Sequence, residues 1–148
     1  MKLTRTFRTL SVAPSHVASD DDARTLAPLT DPVALQRVEA GALLALAVAL
    51  YARSGEGWPL FAALFLAPDL GMLGYLAGPR VGAAVYNAVH AAVLPVALAA
   101  FGLLTGNATA TAAATIWLAH IAFDRLMGYG FKLPTAFGDT HLGRKGQR

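Results

Sequence analysis

The chain has no cysteine and little charge: 14% of its 148 residues are Asp, Glu, Lys or Arg, against about 25% in an ordinary soluble domain. Without cysteine there are no disulfides, thiolate metal sites, iron–sulfur clusters or cysteine nucleophiles. The net charge of +3 comes from scattered Lys and Arg rather than a basic stripe interleaved with aromatics, which leaves nucleic-acid binding without support. What is abundant is apolar. Hydrophobic residues make up 55% of the chain, and the mean hydropathy of +0.49 averages over polar stretches at both ends. The composition points to a lipid bilayer as the surrounding medium.

From Val33 onward, charged, Gly and Pro punctuation divides the chain into four apolar stretches, about 34–52, 58–78, 81–104 and 108–129. A helix rising about 1.5 Å per residue crosses about 30 Å of hydrocarbon in roughly 20 residues, so each stretch is of spanning length. The expected fold is all-α: a four-helix transmembrane bundle of up-down topology over 34–130. A disordered cytoplasmic arm (1–33) precedes it and a cytoplasmic C-terminal tail (131–148) follows. Lys2, Arg5, Arg8, Arg24 and Arg37 lie before or at the start of the first helix. Arg80 lies in the second loop, and Lys132, Arg144, Lys145 and Arg148 in the tail. The first loop has only Arg53 beside Glu56, and the third has no charge. The positive-inside rule therefore places both termini in the cytoplasm. Small residues such as Ala83, Ala84, Ala112 and Ala113 let helices approach closely and permit a homo-oligomer.

Ionisable side chains within a bilayer are costly and usually face partners inside the bundle. Asp69 lies nine residues before Gly78, His90 nine after Val81 and His120 nine before Tyr129. At α-helical rise all three sit about 13 Å from the cytoplasmic surface. Asn87 and Asp124 share helical faces with the two histidines but lie nearer the cytoplasm, as does Glu39. The spacing predicts a two-layer polar cavity, with Asp69, His90 and His120 above and Glu39, Asn87 and Asp124 below. Tyr75, Tyr86 and Arg125 stand at its cytoplasmic mouth. Pro68 and Pro95 should kink the second and third helices at this level.

Imidazoles and carboxylates from separate helices are the ligand types that hold zinc, iron or manganese. Asp69, His90, His120 and Asp124 are the candidate ligands of such a divalent transition metal, which would make hydrolysis possible. The same side chains suit a proton- or ion-coupled carrier, a hydrogen-bonded polar core with a purely structural role, or a haem held by two histidines. In the tail, Asp139, Thr140 and His141 follow one another on a segment stiffened by Pro134. His141 is either a further ligand or acid–base group at the cavity mouth or part of a surface turn.

Six motifs appear in order: Arg37-Val38-Glu39-Ala40, Pro68-Asp69-Leu70-Gly71-Met72-Leu73-Gly74-Tyr75, Tyr86-Asn87-x-x-His90, Trp117-Leu118-Ala119-His120-Ile121-Ala122-Phe123-Asp124-Arg125, Gly128-Tyr129-Gly130 and Thr140-His141-Leu142-Gly143. Together, over about residues 35–145, they resemble the small bacterial integral-membrane family called domain of unknown function 4260. The resemblance implies a multi-helix membrane protein and carries no assigned reaction, substrate or cofactor.

Overall fold

The computed structural model describes residues 30–144, so the arm expected over 1–33 lies almost entirely outside the described residues. The chain is all-α, and four helical spans run up and down through it. Span one is α1, Pro32–Ala52, started by Asp31, whose carboxylate accepts from the Val33 N–H at 2.8 Å, and by Pro32 in the first turn. Span two consists of α2, Trp58–Phe65, followed by an 11-residue 3-10 helix, Ala67–Ala77. Span three is likewise in two pieces, α3, Pro79–Val89, and α4, Val93–Thr105. Span four is α5, Ala108–Leu126, capped by the Asn107 side chain on the Ala110 N–H at 2.9 Å.

Both expected kinks are present as interruptions of the α winding. Pro95 has no N–H, and its ring would clash with the carbonyl of Ala91 in a continuous helix; the chain leaves helical geometry at His90–Ala92. Pro68 follows the switch from α to 3-10 winding at Leu66.

A 3-10 run of this length is unusual, and the sequence accounts for it. With three residues per turn, every third side chain lines up. Leu70, Leu73 and Leu76 form an exposed row; Gly71 and Gly74 form a second, against α3; Asp69, Met72 and Tyr75 form a third. A Cβ at Gly74 would stand 3.0 Å from Val85 Cβ and 3.3 Å from Gly82 Cα, so any side chain there requires α3 to give way. Gly78, with φ of 105°, makes the tight reversal into Pro79. The sequence reading assumed an ordinary α-helix here, which puts Asp69 too near the end of its span, since 3-10 winding rises about 2.0 Å per residue.

α5 is the central element, packed against α1, α2 and α4, with Ala112, Ala114, Ile116, Ala119 and His120 buried. The other three spans, Pro32–Ala52, Trp58–Ala77 and Pro79–Thr105, are long and apolar enough to cross a membrane and bury little of themselves against the rest. α5 is less apolar, and two of its polar side chains, His120 and Asp124, are buried. At one end Tyr51 is buried, donates from its hydroxyl to Gly57 O at 2.7 Å and packs edge-on to Trp58 and Phe61. At the other end the tail folds back as a small antiparallel hairpin, β1 (Asp139–Thr140) with β2 (Gly143–Arg144), and Lys132 bridges to Thr140.

Candidate metal centre

The two helix breaks and the middle of α5 meet at one place. His90 ends α3, Asp69 opens the 3-10 segment, and His120 and Asp124 sit one turn apart on α5. One ligand-type atom from each of the four lies within 4.8 Å of all the others. His90 Nε2 and His120 Nε2 are 3.1 Å apart. Asp69 Oδ1 lies 3.8 Å from the first and 3.6 Å from the second; for Asp124 Oδ2 the distances are 3.5 and 4.0 Å. Both histidines are buried, whereas the Asp69 side chain keeps 35% of its surface exposed. Asp69 is therefore the accessible side of the group.

The surroundings orient these atoms. His90 Nδ1 lies 2.8 Å from the Tyr86 carbonyl, which can only accept; Nδ1 carries the proton, and Nε2 turns its lone pair into the cluster. The Tyr86 ring stacks on the His90 imidazole, with centroids 3.7 Å apart and planes 13° from parallel, while its hydroxyl donates to Asp124 Oδ2 at 2.8 Å. Phe65 packs edge-on against His120. His120 Nδ1 is buried and has no hydrogen-bond partner among the described residues.

A helix that stops inside a protein leaves carbonyls that need donors. α5 supplies them. The Trp117 indole N–H donates to Val89 O at 2.7 Å, and Arg125 Nη2 reaches His90 O at 3.4 Å while Nη1 donates to Tyr129 O. The Arg125 guanidinium also lies 4.2 Å over the Phe131 ring. Of the three side chains expected at a cytoplasmic mouth, Tyr86 is buried against the cluster, Arg125 stands beside it, and Tyr75 packs on Phe137 of the tail.

The predicted two-layer arrangement is corrected in three respects. Asp124 joins Asp69, His90 and His120 in a single group, because the i,i+4 pair on α5 turns both side chains to one point. Asn87 belongs to the tail instead. Its Nδ2 donates to Lys132 O at 2.9 Å and its Oδ1 accepts from Lys132 N at 2.7 Å, so it pairs with that backbone as a strand would. Glu39 is exposed: the face of α1 that turns inward carries Ala40, Ala47 and Tyr51, and Glu39 sits a residue off that line, in a groove with Leu43, Leu46 and Leu50.

Of the two readings left open for His141, the structure matches the turn: Nδ1 accepts from Phe131 N at 2.8 Å and the ring lies tilted against Phe131. The neighbouring Asp139 is engaged by Arg144 Nε and by the Thr135 hydroxyl, which hold its carboxyl below the usual range. Lys132 is the residue the sequence reading missed. It is 5% exposed, donates from Nζ to Phe137 O at 2.9 Å and lies 5.1 Å from the Tyr86 ring centroid. The rings around it are those of Tyr86, Tyr129 and Phe137, and the two aromatics close by in sequence are a legible signal, since aromatics often shelter a cation.

Fold and site together define a small all-α bundle with apolar outer helices and a buried two-histidine, two-aspartate cluster where two of those helices break. The sequence model of the family described as "Domain of unknown function (DUF4260)" matches residues 33–145, and the chain belongs to that family. No curated protein and no solved structure matches it.

Proposed function

We propose that this chain is a multi-pass membrane protein with both termini in the cytoplasm, and that Asp69, His90, His120 and Asp124 hold one divalent transition-metal ion used in hydrolysis. The observation that carries the reading is the spacing of the four ligand atoms. Four-coordinate zinc with bonds of about 2.0–2.1 Å to nitrogen and oxygen sets neighbouring ligand atoms about 3.3 Å apart. The two histidine nitrogens lie 3.1 Å apart, the histidine–aspartate separations reach 4.0 Å, and all four atoms lie within 4.8 Å of one another, so the group would draw in by roughly an ångström to complete the shell. A backbone carbonyl that fixes the His90 tautomer and a tyrosine hydroxyl that holds Asp124 support two of the four ligands from outside, and metal binding would displace the proton that His90 Nε2 and His120 Nε2 share.

When bound, the ion supplies Lewis acidity toward water and toward a carbonyl or phosphoryl oxygen. The chain does the rest. Asp69 is the ligand on the accessible side, so water or substrate would enter there, as a fifth ligand or in exchange for the Asp69 carboxylate, while Phe65 and the stacked Tyr86 keep water from the far side of the imidazoles. Elemental analysis of gently purified full-length protein should find one transition-metal ion per chain, lost in His90→Ala and His120→Ala. If the unmodified protein takes up no stoichiometric metal on reconstitution, the reading fails.

A second reading has its own observation. Spans two and three both break at the cluster, and interrupted helices facing a midplane site are how carriers expose an ion. Metal-dependent flux into liposomes, abolished by Asp69→Asn, decides for a carrier; hydrolysis without flux decides for the enzyme.

A further inference from the structure

Beside the cluster lies a cavity of about 220 Å³, walled by Leu64, Ala67 and Pro68 from span two, Val89 from span three, and Ala113 and Trp117 from α5. It exists because both helices break there: Pro68 immediately precedes the ligand Asp69, and Val89 immediately precedes His90. Its walls are apolar, and the one polar side-chain atom among them, the Trp117 indole nitrogen, is already satisfied by Val89 O. The volume falls short of the roughly 300–1,000 Å³ of pockets that enclose a whole drug-sized ligand, which suits part of a ligand.

The order along α5 then matters. Ala113 and Trp117 line the cavity, His120 and Asp124 are ligands, and Arg125 follows at once. From Ala113 to Asp124 is about 16 Å along the axis, so apolar wall, metal ligands and cation succeed one another. The charges of Asp69 and Asp124 balance a divalent ion, and the Arg125 guanidinium, hydrogen-bonded to His90 O, is left over. The occupied site therefore favours a negative group at the metal, with an apolar extension on the opposite side from Arg125.

We infer that the ligand of this site is a single-chain amphiphile with an anionic head, its head at the metal and beside Arg125 and its alkyl chain in the cavity. The inference rests on the metal reading above and names the substrate class for it. The test uses cobalt(II)-loaded full-length protein in one fixed detergent, titrated with acetohydroxamate, hexanohydroxamate and octanohydroxamate and followed by the visible cobalt absorption. Referred to free aqueous ligand, affinity should rise about fourfold per methylene. Ala113→Phe, which fills the cavity, should flatten that series while leaving cobalt content and acetohydroxamate affinity unchanged. Ala67→Phe, on the exposed rim, is the second filling variant should Ala113→Phe not fold. A flat series in the unmodified protein, or an equal slope in the filled variants, overturns the inference while one cobalt per chain leaves the metal reading standing. Failure of the unmodified protein to bind cobalt overturns both.

Discussion

Tyr86→Phe removes one oxygen and leaves the rest of that residue's role in place. The ring still stacks on His90 at 3.7 Å, and the backbone carbonyl still accepts from His90 Nδ1. Only the hydroxyl bond to Asp124 Oδ2 at 2.8 Å is lost. A hydrogen bond to a charged acceptor contributes about 1.5–3 kcal/mol. Losing an outer partner of a metal ligand typically costs about 10–100-fold in affinity, which is roughly 1.4–2.7 kcal/mol, so the two estimates agree. The Asp124 side chain is 12% exposed, so water replaces the lost donor poorly and the effect belongs in the upper half of that range. Competition against a chromophoric chelator should show metal bound about 10–100-fold more weakly, with unchanged stoichiometry. Thermal unfolding at fixed free metal should lose the matching part of its metal-dependent stabilisation, because a ligand bound only to the folded state stabilises in proportion to the logarithm of its affinity. Affinity within threefold of the unmodified protein refutes the reasoning. So does a loss of stability that is equal with and without metal, the outcome expected if the four side chains merely tie the spans together.

Two further outcomes follow from the packing and from the tail. Gly74→Leu must push against Val85 and the Gly82 backbone and should cost about 1–3 kcal/mol. Leu73→Ala, on the exposed row, should stay within about 0.5 kcal/mol; equal melting temperatures for the two variants in detergent would remove the close-approach argument. The Asp139 carboxyl is depressed first by its hydrogen bond from Arg144 and then by the Thr135 hydroxyl. A depressed carboxyl stabilises above its unfolded value of about 3.9 and loses that contribution as pH falls through the folded value. The hairpin should therefore be unaffected at neutral pH and loosen only below about pH 4, seen as faster amide exchange at Thr140 and His141. Loosening between pH 6 and 8 would contradict the assignment.

Much of this was written in the sequence. Interrupted apolar stretches gave the spans, and Asp69, His90 and His120 stood out because ionisable groups are rare in such stretches. Their convergence survived a wrong assumption about rise, since Pro68 and Pro95 place both breaks at the meeting point whatever the winding. Glu39 was misplaced because one residue of rotation on α1 separates a buried face from an exposed groove, and an apolar helix gives little periodicity from which to read that rotation. Asn87 is misplaced, and His141 is left open between two readings, for a different reason. Their partners are backbone atoms of the tail, Lys132 and Phe131, and backbone pairing between distant segments leaves no mark in residue types. The 3-10 winding did leave one: Leu70, Leu73 and Leu76 repeat at three, as do Gly71 and Gly74, where an α-helix would have let each row spiral away.

That winding also gears two distant points together. Asp69 and Tyr75 are six residues apart, two whole turns at three residues per turn, so they share an azimuth. The Tyr75 ring fills the space above Gly82 and meets Phe137 of the tail at 5.1 Å. Rewinding the segment to α would swing Tyr75 by roughly 120° relative to Asp69 and shorten the piece by about 5 Å. The winding thus fixes the azimuths of the aspartate and of the tail-side ring together, and a substitution that rewinds the segment displaces one relative to the other.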